Sequence, residues 1–174
     1  NDVEVKTEQI PMVTDSSAET MIMRAIDKGV SVETMERLLD MRRELKAEFA
    51  KKEYNQAMAA FQADCPIIEK TKAVKIKGGT VVAYRYAPIE SIVSQVKGIL
   101  QKHGFSYSTS MILTDKGVKA TCKITHSAGH TEQSDMEVPL GTKTEIMSQS
   151  QVVAAAQTFA KRYAFCNAFG ILTG

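Results

Sequence analysis

The sequence predicts an α+β domain in which an antiparallel sheet is covered by helices on one side. Three observations predict it. Residues 19–65 hold apolar side chains at helical spacing, residues 73–86 and 105–138 alternate apolar and polar side chains around glycine turns, and residues 143–168 return to helical spacing. Hydrophobic residues make up 44% of the 174 and charged residues 24%, a balance able to bury a core.

Residues 1–18 are polar and patternless, with Pro11 and the run Thr14-Asp15-Ser16-Ser17, and read as a flexible leader. Residues 19–65 read as a helical arm, a candidate for contact between subunits. One helix spans about 19–28 and stops at Gly29; Ser31 then caps a longer one, with Glu33 suiting its first turn. Met35, Leu38, Leu39, Leu45 and Phe49 keep helical spacing, and Tyr54, Ala57, Met58 and Phe61 resume it in a shifted phase beyond Lys51-Lys52-Glu53. Either one long helix turns its apolar stripe there or two helices meet.

Residues 66–174 read as the α+β core. Pro66 closes the arm, and the runs 73–77 and 80–86 flank Gly78-Gly79, a hairpin signal. Pro88 opens an amphipathic helix with Ile89, Ile92, Val93, Val96 and Leu100 on one face, ending at His103-Gly104. Strands over 105–114 and 118–127 join at Asp115-Lys116-Gly117, and a third over 130–138 follows the Ala128-Gly129 turn, making a three-stranded meander. Gly141 precedes the final helix, about 143–168.

Charge is unevenly divided. Residues 1–65 hold 9 lysines and arginines against 13 acids, whereas residues 66–174 hold 13 against 7. An acidic arm beside a basic body fits a polyanion partner. No apolar run approaches the ~18 residues of a membrane span, and the opening NDVEVKTEQIPM lacks the basic and apolar regions of a secretory signal. Cys65, Cys122 and Cys166 are odd in number and far apart, which favours reduced thiols and a cytoplasmic location.

A two-residue turn at Gly78-Gly79 would pair Lys77 with Thr80, Lys75 with Val82 and Ala73 with Tyr84. Val74, Ile76, Val81 and Ala83 would then form a packing face, and Lys75, Lys77, Thr80, Val82, Tyr84 and Tyr86 the opposite one. Lysines neutralise phosphates and tyrosine rings stack on unpaired bases, so the second face suits a single strand. It equally suits a solvated face with solubilising lysines. Glu69 is the single acid between positions 65 and 89, with Lys70 and Lys72 close by.

In the last helix, Val152, Ala155, Ala156, Phe159, Tyr163 and Cys166 fall on one stripe, and Ala156, Ala160 and Ala164 form a ridge permitting close backbone approach, a candidate subunit contact. Lys161 and Arg162 diverge by roughly 100° around the helix. They suit a groove running past it, or the capping of its last carbonyls.

No G-x-x-x-x-G-K-[ST] occurs, and Gly78-Gly79 is too short and is followed by a strand, which argues against an ATP-driven recombinase or helicase of the P-loop kind. Cys122, His126 and His130 are spaced by four without a C-x-x-C or an evident fourth ligand, so no metal, cofactor or catalytic residue is assigned. A metal-dependent hydrolase on the His126/His130 region and an RNA- or duplex-binding regulatory module are the competing readings.

The stretches YNQAMAAFQADCPIIEK, AYRYAPIESIVSQVKGILQKHGFSY, THSAGHTEQSDMEVP and SQSQVVAAAQTFAKRYAFCNAFGI, in that order over about residues 53–172, resemble the ERF (essential recombination function) family of phage single-strand annealing proteins. Gln151, Thr158, Arg162 and Tyr163 match its most specific block; Ala154-Ala155 stand near its usual Gly-Ser, and Phe159 replaces its usual Tyr. The resemblance implies an ATP-independent protein, not an enzyme, that binds single-stranded DNA and its annealed duplex product for recombination and repair. It also implies ring or helical homo-oligomers, and a fold similar to that of eukaryotic single-strand annealing proteins. A phage exonuclease or a host single-strand-binding protein would be a further partner, in the host cytoplasm, and family members commonly carry a C-terminal tail beyond this region. Lys75, Lys77, Tyr84, Arg85, Tyr86, Lys161 and Arg162 are the expected DNA contacts.

Overall fold

The computed structural model describes residues 15–76, 79–142 and 147–173, with side chains from Glu19 onward. The chain divides into two compact units, residues 1–48 and 49–174.

In the first unit, α1 (Asp15–Asp27) is followed by a turn in which the Gly29 N–H meets the Ile26 carbonyl at 2.9 Å. The long helix α2 (Val32–Asp64) begins here and runs on into the second unit. Of the two arrangements left open, the single helix is found: no Gly or Pro interrupts its 33 residues, and Ala, Leu, Met, Glu, Lys and Arg dominate them. Ser31 Oγ accepts the Thr34 N–H at 3.3 Å, capping its start. Arg37–Glu33 and Arg43–Asp40 lie on its exposed surface, where such pairs contribute little.

In the second unit, β3 (Phe105–Leu113), β4 (Val118–His126) and β5 (Thr131–Val138) form an antiparallel sheet in the order β3-β4-β5. The central strand shows the alternation most clearly. Val118, Ala120, Cys122, Ile124 and His126 are buried, while Lys119, Thr121, Lys123 and Thr125 face the other way. On that second face Asp135 of β5 meets Lys119 Nζ at 2.8 Å and accepts from Thr121 Oγ1 at 2.7 Å. The β3–β4 turn depends on Gly117, whose φ is +152° and where a Cβ would come within 2.1 Å of the Val138 carbonyl oxygen.

Three helical segments pack on the buried face. They are α3 (Ile89–Lys102), α4 (Gln149–Phe169) and the C-terminal half of α2, from which Tyr54 and Phe61 enter the same buried cluster as Ile92, Val96, Ile124, Phe165 and Phe169. The expected α+β architecture, with helices on one side of an antiparallel meander, is observed. Beyond α4 the chain returns to the end of α2, where the Ile68 N–H donates to the Leu172 carbonyl at 3.1 Å.

The start of α4 differs from expectation. Ser148 and Gln151 form a reciprocal capping box: Ser148 Oγ accepts the Gln151 N–H at 3.3 Å and Gln151 Oε1 accepts the Ser148 N–H at 2.8 Å. The helix therefore begins at Gln149, whereas residues 143–146 lie outside the described residues. It ends at Gly170, which is left-handed at φ +67°, with the Ile171 N–H closing on the Cys166 carbonyl at 2.9 Å.

The faces of α4 also differ. Ala156, Ala160 and Ala164 are buried within this chain, in the same cluster as Val118, Ala120 and Ile124 of β4, so they cannot serve as a subunit contact. Their small size instead seats the helix close against the chain's own sheet. Val152, Phe165, Cys166 and Phe169 complete that buried face, whereas Ala155, Phe159 and Tyr163 are exposed.

Asp64, at the end of α2, accepts from Lys102 Nζ at 2.7 Å and pairs with His103 Nε2 at 2.8 Å. The hydrogen bond from Lys102 and then that from His103 hold its carboxyl below the usual carboxylate range. A carboxylate so lowered contributes stability above its unfolded pKa of about 4, and that contribution is lost as pH falls through the folded value. Asp64→Asn is expected to lower the urea midpoint at pH 7, with the gap from wild type closing below about pH 4.

Candidate nucleic-acid interface

The hairpin comprises β1 (Lys72–Lys75) and β2 (Val82–Tyr86) and forms its own two-stranded sheet. Near the turn the expected register is observed: Lys75 faces Val82, and the Ile76 N–H donates to the Val81 carbonyl at 3.1 Å. Lys77 and Gly78 lie outside the described residues.

The register then shifts between Val74 and Lys75, so that Val74 faces Tyr84, Ala73 faces Arg85 and Lys72 faces Tyr86. Ala83 is the additional residue on β2, a bulge. Its effect is to regroup the side chains. Tyr84 and Tyr86 share a face with Lys72 and Val74, their rings 6.3 Å apart, while Lys75 lies with Ala73, Val82 and Arg85. The expected grouping of Lys75 with both tyrosines is therefore corrected. The expected packing face is corrected too, because Ile76, Val81 and Ala83 are exposed.

The tyrosine face meets α4. The Arg162 guanidinium lies 5.4 Å from the Tyr86 ring centroid, 5.3 Å from Phe159 and 5.0 Å from Tyr163. Its Nη1 donates to the Ala87 carbonyl at 3.4 Å, and the Phe159 and Tyr163 rings are 4.4 Å apart. Each guanidinium–ring contact is worth about 0.5–2 kcal/mol according to its desolvation. This explains why two aromatics four residues apart flank a cation: they form a platform that holds Arg162 against the foot of the hairpin. Further contacts join that foot to α3, with the Glu69 N–H donating to Gln95 Oε1 at 3.3 Å and Thr71 Oγ1 to Ser91 Oγ at 3.4 Å.

Lys161 points elsewhere, as the helical geometry requires. It lines a groove of about 390 Å³ between α3, β3 and α4, together with Ile89, Val93, Lys97, Tyr107 and Phe165. The two adjacent cations of α4 thus serve different places: Arg162 the hairpin foot, Lys161 the groove. Lys97 and Tyr107 escape sequence reasoning because each is an ordinary member of its own element, and only the tertiary fold brings them beside Lys161.

Lys102 is paired with Asp64 and Lys119 with Asp135, whereas among the described residues no ion pair involves Lys72, Lys75, Arg85, Lys97, Lys161 or Arg162.

Burial, with a smaller contribution from Cys166, pushes the Cys122 thiol up to about 11, and burial raises Cys166, so both are neutral thiols near pH 7. The His126 Nδ1 accepts the Ala128 N–H at 3.3 Å, and the His126 and His130 rings pack edge-on to Tyr54. No group of three or more His, Cys, Asp or Glu side chains converges to hold a metal among the described residues. No helix among them is long and apolar enough to cross a membrane.

Fold and site together define an α+β protein with a separate basic two-stranded hairpin and a lysine-lined groove. The model of the ERF superfamily matches residues 54–174, more than half of the chain, and the chain belongs to that superfamily. It is a family of phage recombination and single-strand annealing proteins rather than of known catalysts. No curated protein and no solved structure matches the chain.

Proposed function

We propose that the protein binds single-stranded DNA and anneals complementary strands without ATP, acting as a homo-oligomer. Annealing requires that repulsion between two polyanions be screened while base edges stay free to test pairing. Phosphate contacts from lysine and arginine meet both needs, and base-specific contacts would hinder the second. The observation that carries this reading is the set of cations without acidic partners, Lys75 and Arg85 on the hairpin and Lys161 in the groove, in a chain whose family is one of annealing proteins. Lys77 belongs to the same proposed set by its sequence position.

Self-association is supported by the N-terminal unit, where Met21, Met23, Ile26, Met41 and Leu45 are more than half exposed. An apolar array of that kind favours burial against another surface. The absence of a P-loop in the sequence supports independence from ATP.

The test is annealing of two complementary oligonucleotides by the full chain without nucleotide, with assembly mass measured by light scattering. The variant Lys75→Ala/Arg85→Ala/Lys161→Ala is expected to lose most annealing. Its slope of log affinity against log salt is expected to flatten by about 2, roughly 0.7 for each lost phosphate contact on a single strand. An unaltered slope would remove these residues from the interface. Preference for RNA or duplex over single-stranded DNA would favour a regulatory binding module instead.

A further inference from the structure

The groove between α3, β3 and α4 combines features that neither a solvated surface nor a simple phosphate site requires. Its walls are Ile89 and Val93 on one side and the aromatic pair Tyr107 and Phe165 on the other, whose ring centroids are 4.8 Å apart. Phe165 is fully buried, whereas Tyr107 keeps 36% of its surface exposed. Lys97 and Lys161 also line it and enter no ion pair among the described residues, while Glu90 supplies the single acid. At about 390 Å³ it falls within the ~300–1,000 Å³ of small-ligand sites.

An occupant must therefore present a flat apolar body and an anion a few bonds away. An apolar peptide segment offers the first without the second unless an acidic group adjoins its aromatic residue, and a free phosphate offers the second without the first. A nucleotide offers both. We propose that this groove takes one nucleotide of the bound strand, its base against Tyr107 and the aliphatic wall, its phosphate between Lys97 and Lys161. The proposal rests on the single-strand reading above and deepens it by placing one base per protomer off the free row. The remaining bases stay available for pairing, and the held base fixes the strand's register on the protein. It leaves only when a complementary strand competes for it.

The experiment measures binding of the full chain to a fluorescent thymidine oligonucleotide and to a matched oligonucleotide with abasic sites, by anisotropy across a salt titration. Tyr107→Ala is expected to weaken binding of the thymidine strand about five- to a hundredfold, the range for loss of one stacked base, and to leave the abasic strand's affinity nearly unchanged. Tyr107→Phe is expected to retain wild-type binding. Lys97→Ala is expected to reduce the salt slope by about 0.7 on both strands. Because the Lys97 side chain is exposed and outside the core, this variant tests the groove without endangering the fold. Equal losses on both strands for Tyr107→Ala, or an unchanged slope for Lys97→Ala in a protein that otherwise binds single strands, would overturn the groove assignment alone. Failure of the wild type to bind the thymidine strand would instead overturn the single-strand reading, and the groove assignment with it.

Discussion

Phe169→Ala is expected to destabilise the protein by about 3–5 kcal/mol, the cost of truncating a buried aromatic and leaving a cavity. Phe169 has no exposed surface, and its ring lies 5.4 Å from Phe61, 6.0 Å from Phe105, 6.2 Å from Tyr107 and 5.0 Å from Phe165. It thus joins α2, β3 and α4 through one side chain. Four neighbours from three elements cannot collapse together into the vacancy, which places the cost in the upper part of that range. Since domains have only ~5–15 kcal/mol in total, the variant is expected to be largely unfolded on modest warming. Phe159→Ala removes the same atoms from the same helix at a half-exposed position, giving up one guanidinium–ring contact and one ring pair, and is expected to cost only about 1–2 kcal/mol. Urea denaturation of the two variants checks the contrast. Equal midpoints would contradict the observed division of α4 into buried and exposed faces.

That division shows where the sequence is legible and where it is not. Strand β4 could be read directly, since Val118, Ala120, Cys122 and Ile124 alternate with Lys119, Thr121 and Lys123, and an inner strand with one buried face must alternate so. Helix α3 was equally open to reading from Ile89, Ile92, Val96 and Leu100. Helix α4 was ambiguous because it is apolar almost all round, and alanine fits any surface. Periodicity then selects the stripe with the largest side chains, Phe159 and Tyr163, although the alanine ridge is what the sheet demands. The true start of α4 was available in Ser148 and Gln151, three residues apart as a capping box requires.

The bulge in the hairpin was not available. Nothing in Thr80-Val81-Val82-Ala83-Tyr84 distinguishes a regular ladder from one that accommodates an extra residue. The consequence for the site is large, because a shift of one residue exchanges the faces of everything beyond it. Tyr84 and Tyr86 thereby leave Lys75 and turn toward Lys72, and Tyr86 becomes a wall of the Arg162 platform. The candidate residues on the hairpin and α4 were legible as types, while their partnerships depended on this one irregularity and on long-range packing.

Arg162 and Lys161 are accordingly expected to behave differently although they are adjacent and equally charged. Arg162→Ala removes the contact with the Tyr86 ring and the hydrogen bond to the Ala87 carbonyl, which join α4 to the hairpin foot, together with the Phe159 and Tyr163 contacts within α4 that hold the guanidinium in place. The loss at the hairpin is expected to reach about 1–3 kcal/mol of local stability, from one ring contact of ~0.5–2 kcal/mol and one hydrogen bond of ~0.5–1.5 kcal/mol. It should appear as faster amide exchange at Tyr84, Arg85 and Tyr86, by a factor of ten for each 1.4 kcal/mol or so, while the β4 amides remain protected. Arg162→Lys keeps the charge but loses the planar group that stacks on rings, so it is expected to restore little of that protection. Lys161→Ala lacks such contacts and is expected to leave hairpin exchange unchanged while flattening the salt dependence of single-strand binding. The reciprocal result, hairpin loosening from Lys161→Ala and none from Arg162→Ala, would reverse the two roles. If both variants altered binding alone, Arg162 would be acting on phosphate rather than on the hairpin, and its three aromatic neighbours would have no structural consequence.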